Sequence, residues 1–86
     1  MTLNELRSAL QSILQAEQAP DVDWPKVSRL CSHTLAALKR EPPDYTDDIV
    51  YVFLDDSELR QEDRDYASVQ RERLANWLEG SEIISR

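Results

Sequence analysis

A single glycine, Gly80, stands in the 86-residue chain, and it lies near the end. Loops that cradle phosphate need several glycines, because the backbone must approach the anion closely and adopt left-handed angles. A Walker-type loop and a dinucleotide-binding fingerprint are therefore excluded. An EF-hand calcium loop also needs a glycine at its sharp turn, which removes Asp55-Asp56-Ser57-Glu58 from that class. The single cysteine, Cys31, permits no internal disulfide, and the single histidine, His33, leaves too few nitrogen and sulfur ligands for a zinc site. Two apart on a helix, these side chains point in different directions. Cys31 reads as a small core residue, and His33 as a surface side chain with no local carboxylate to orient it. No metal and no cofactor is expected.

Long apolar runs are missing as well. The longest, Ile49–Leu54, is about a third of a membrane span, so no helix is expected to cross a bilayer. The opening residues Met1–Arg7 lack the basic start and apolar stretch of a signal peptide. With the lone cysteine, this makes a cytoplasmic location the expectation.

What is present suits one small folded domain. Apolar residues make up 41% of the chain and charged residues 31%, too many aliphatics for a disordered segment. The net charge of -7 is unevenly placed. Residues 1–43 balance five basic against five acidic side chains, and residues 66–86 balance three against three. The whole excess falls in 44–65, where nine acids face only Arg60 and Arg64. Such a chain repels phosphate backbones, so direct nucleic-acid binding is disfavoured and basic surfaces are the natural partners. The one basic stripe, Lys26, Arg29, His33 and Arg40, is short and has no glycine-bearing turn or recognition helix beside it.

Periodicity predicts an all-α, compact single-domain bundle of three to four helices, at about 3–18, 24–40, 45–55 and 57–79. The domain is taken as 1–80, with a flexible C-terminal tail at 81–86. Thr2 and Glu5 form a capping box ahead of the stripe Leu3, Leu6, Leu10, Ile13 and Leu14, and Pro20 stops this helix. Asp23 caps the second helix, whose inner face is Val27, Leu30, Cys31, Thr34, Leu35 and Leu38 and which ends at Pro42-Pro43. Tyr45, Ile49, Val52 and Phe53 share a face of the third. Its composition suits a strand, yet a strand would have no adequate neighbour for its backbone groups, so helix is preferred. In the last helix Leu59, Tyr66, Leu74 and Trp77 form the expected inner face, flanked by Ala67, Val69 and Leu78, with Gly80 at C′. Residues 60–65 contain nothing apolar, so that helix either frays there or breaks and restarts with Asp65 as N-cap. An Asp56–Arg60 pair at i,i+4 would favour continuity.

With most chemistries removed, the expected function is that of a small acidic, non-enzymatic helical protein. It would bind a macromolecular partner with a basic surface through residues 44–65, as an adaptor, inhibitor or immunity-type protein. The candidate contact residues are Asp47, Asp48, Asp55, Asp56, Glu58 and Glu62, with Tyr45, Tyr51 and Phe53 as apolar anchors. One alternative is self-association into a homo-oligomer through the apolar segment 49–54. Another is a magnesium-dependent phosphohydrolase whose metal is held by Asp55, Glu58, Glu62 and Asp65, although no second acidic helix completes such a site.

Overall fold

The computed structural model describes residues 2–41 and 48–84, the last four of these by backbone alone. Five α-helices occur among them: α1 Leu3–Glu17, α2 Trp24–Arg40, α3 Asp48–Asp55, α4 Ser57–Glu62 and α5 Arg64–Ile84. The fold is all-α, with two more breaks than a three-helix bundle would need.

Both expected starts are built as the side chains require. Thr2 Oγ1 accepts from the Glu5 backbone N–H at 3.1 Å, while the Glu5 carboxylate accepts from the Thr2 N–H, also at 3.1 Å. That reciprocal bond, with the backbone N–H foremost, holds the Glu5 carboxyl below the usual carboxylate range. Asp23 Oδ1 accepts from the Lys26 N–H at 3.2 Å, and Pro25 occupies the first turn of α2, where its missing donor costs nothing. Pro42 and Pro43 lie outside the described residues.

Helix α2 is central: α1, α3 and α4 all pack against it, and α5 covers α3 and α4 from the other side. The core joins Leu6, Leu10, Ile13 and Leu14 of α1 to Val27, Cys31 and Leu38 of α2, Val50, Phe53 and Leu54 of α3, and Leu74, Trp77 and Leu78 of α5. The segment 48–55 is helical, as expected, but rotated from the expected face. Val50, Phe53 and Leu54 point inward, Ile49 and Tyr51 are partly buried, and Val52 is 47% exposed. Most of the apolar stretch is thus packed into the core, with Val52 left exposed. Phe53, buried on α3, is unavailable as an anchor for a partner.

The long last helix is two helices. Asp63 takes an extended conformation, φ -127 and ψ 105, and ends α4. Its Oδ1 then accepts from the N–H groups of Asp65 and Tyr66, both at 3.1 Å, so Asp63 rather than Asp65 caps the new start. The break takes α4 out of register with α5. Ser57 and Arg60 occupy the buried side of α4 and leave Leu59 50% exposed, away from Leu74 and Trp77. Val69 is also exposed rather than flanking the core, and Tyr66 is only partly buried. At the other end α5 runs through Gly80 to Ile84, so the helix does not stop at Glu79 and Gly80 is not a left-handed C′ residue.

Candidate functional site

Two regions stand out, an acidic surface and a polar network beneath it. The surface comes from α3, α4 and the first turn of α5. Asp48, Asp55, Glu58, Glu62, Asp63 and Asp65 are all exposed. Asp63 is occupied as a cap, and none of the other five enters an ion pair among the described residues. Asp48, Val52 and Asp55 follow one another at i, i+4, i+7 and share one stripe of α3. Glu58, Leu59, Gln61 and Glu62 are the exposed residues that follow on α4. Tyr51 is partly buried and lines a groove of about 200 Å³ with Leu35, Lys39, Val52 and Asp55. Tyr45 and Asp47 lie outside the described residues.

Asp56 departs from the expected surface set. Its Oδ2 accepts from the Tyr66 hydroxyl at 2.7 Å and from Gln70 Nε2 at 3.0 Å, so it faces α5 rather than solvent. The carboxylate hydrogen bond, with Asp56's charge beside it, pushes the Tyr66 phenol above its ordinary range. No Asp56–Arg60 side-chain pair forms, because Arg60 turns into the core.

Arg60 is 1% exposed, the largest fully buried side chain among the described residues. Its Nε donates to Glu17 Oε1 at 2.9 Å and to Oε2 at 3.2 Å. Nη1 donates to the Phe53 carbonyl and, at 3.0 Å, to Gln70 Oε1. Nη2 reaches Cys31 Sγ at 3.5 Å, and the guanidinium carbon lies 3.8 Å from the centroid of the Phe53 ring. Glu17 is completed by Arg71 Nη1 at 3.3 Å. Glu17 is thus shared by Arg60 and Arg71, and Gln70 bridges Arg60 to Asp56. Burial raises the Cys31 thiol above its usual range, against an opposing pull from the Arg60 charge. Cys31 is accordingly a protonated core residue, as expected, and His33 is exposed.

Reading the sequence missed this network, although two of its members leave a trace. Glu17 continues the register Leu6, Leu10, Ile13, and Gln70 falls in step with Ala67, Leu74 and Trp77. A polar residue on an apolar stripe is a signal for a buried partner. Arg60 left no such trace, since apart from Leu59 its neighbours in sequence are polar.

The acids of α3 to α5 do not assemble a metal centre. Among the described residues, no three His, Cys, Asp or Glu side chains are placed to hold a metal ion, so Asp55, Glu58, Glu62 and Asp65 do not converge as the magnesium reading required. Among the same residues, no helix is long and apolar enough to cross a membrane. No family model, curated protein or solved structure matches the chain.

Proposed function

We propose that this is a non-enzymatic helical protein that binds a macromolecular partner with a basic surface, through the acidic side of α3, α4 and the start of α5. One observation carries the reading. Of the two basic residues within 44–65, Arg60 is withdrawn into the core and its charge is cancelled there by Glu17. The outward-facing part of the segment keeps Asp48, Asp55, Glu58, Glu62, Asp63 and Asp65 against Arg64 alone. Asp56 turns inward as well, so the outward-facing part keeps the strong negative excess of the composition with a single arginine among its described residues. Clustered charge of one sign speeds encounter with a complementary surface, while apolar contacts carry most of the affinity. Val52 and Leu59 are half exposed among these carboxylates and supply such contacts, in place of Phe53.

The test is parallel affinity capture from cell extract with the unaltered protein and with Asp55→Lys, Glu58→Lys, Glu62→Lys combined. Far-UV circular dichroism establishes that the variant is folded. A basic protein held by the first, released by salt and absent from the second, is the expected result. Identical captures by both proteins would retire the proposal.

A further inference from the structure

A pocket of about 500 Å³ opens where the end of α1 and the start of α2 face the α4–α5 junction. Its charged lining is Glu17, Asp21, Arg60, Arg64 and Arg71, and Val22, Trp24 and Ala67 supply the apolar part. Glu17 and Arg60 are fully buried and cancel each other at its base. Arg71 gives one N–H to Glu17, while its side chain stays 26% exposed. Arg64 is exposed and forms no ion pair among the described residues. The lining thus sets three arginines against two acids, Asp21 and the Glu17 carboxylate that Arg60 and Arg71 share. The pocket therefore holds an excess of positive charge in a protein whose net charge is -7.

The geometry has a shape as well as a sign. Arg64 and Arg71 are seven residues apart on α5, roughly 10 Å along its axis, with the small side chain of Ala67 between them. Two long guanidinium side chains across such a gap can close on one oxyanion, with the fork of donors that carboxylate and phosphate accept. Trp24 is only partly buried at the opposite wall and offers a flat apolar face. Pockets that combine a few charged donors with an aromatic wall are the common form of small-molecule sites.

We propose that this pocket binds an oxyanion carried on a flat ring, of which an aryl phosphate is the simplest case. Arg64 and Arg71 hold the oxyanion, and the Trp24 indole lies against the ring. Arg64 borders the acidic face between Asp63 and Asp65, but the pocket uses none of that face's carboxylates, and the two readings are tested separately.

Phenyl phosphate, phenol and inorganic phosphate are the probes, and the readout is the indole N–H signals of the 15N-labelled protein. There are two tryptophans, so Trp24→Phe assigns the signal. Phenyl phosphate is expected to shift the Trp24 signal saturably, and Arg64→Gln to weaken its binding about tenfold. Arg64 has no internal partner, so this variant keeps the test sound even if Arg71→Gln loosens Glu17. Three results with phenol, the Arg64 variant or phenyl phosphate would each overturn the proposal. These are equal binding of phenol, unchanged binding by the Arg64 variant, and no saturable shift with phenyl phosphate up to about 10 mM. Inorganic phosphate is expected to bind more weakly than its phenyl ester; equal affinity would remove the ring from the site and overturn the assignment as made.

Discussion

Arg60 poses the energetic question of this protein, because a guanidinium loses several kcal/mol of hydration when buried. Here every side is occupied: Glu17 takes Nε, the Phe53 carbonyl and Gln70 take Nη1, Cys31 faces Nη2, and the Phe53 ring lies against the plane. Removing one partner from such a set is worse than removing both, since the survivor stays buried and charged. Arg60→Ala should therefore cost about 3–5 kcal/mol, comparable to the whole stability of a small domain. Glu17→Met combined with Arg60→Met should recover a large part of that loss, since the pair is replaced by apolar side chains of similar length. Urea denaturation of the four proteins of the double-mutant cycle measures this. Strictly additive losses would mean that the two residues do not act as a pair.

At the scale of elements, the helix starts and stops follow local chemistry except at the C-terminal end. Gly80 lies inside α5, its φ is not positive, and a Cβ added there meets nothing within 4 Å. Gly80→Ala should then raise stability by roughly 0.5–1 kcal/mol, read as an increased urea midpoint. A loss of stability would instead restore Gly80 as the left-handed end of a helix closing at Glu79. The other elements show which features a sequence carries openly. Thr2–Glu5 and Asp23 are caps whose partners lie three residues away, and the Leu6, Leu10, Ile13 stripe is a periodicity within one helix. Such short-range features can be read in order along the chain. The rotation of α3 cannot, because it depends on which of several apolar side chains the other helices accept, and Val52 loses to Val50 and Leu54. Nor can the break at Asp63 be placed beforehand, with Asp63 and Asp65 equally competent as caps. The polar network is the least legible part: Arg60 meets Glu17 across 43 residues, and Asp56 is drawn off the surface by Tyr66 and Gln70 of the following helix.

At the scale of the whole molecule, the two kinds of charge respond differently to salt, which makes the acidic surface testable without any partner. The Glu17–Arg60 pair is fully buried and little screened. Asp55, Glu58 and Glu62 are exposed, close in sequence and unpaired, and Glu58 and Glu62 stand at i,i+4 on α4, where like charges repel by about 0.2–0.5 kcal/mol. Raising the ionic strength from about 0.01 to 0.15 M shortens the screening length from roughly 30 to 8 Å, and it relieves the longer-range part of this repulsion. The melting temperature should therefore rise with sodium chloride by a few degrees, since about 1 kcal/mol corresponds to roughly 4–8 °C in a domain of this size. Neutralising the pair as Glu58→Gln with Glu62→Gln should raise the melting temperature at low salt and flatten its salt dependence. The sign carries the decision. If these carboxylates were instead engaged with the protein's own lysines and arginines, salt would weaken attractions and the melting temperature would fall. The surface offered to a basic partner would then already be spent inside the molecule.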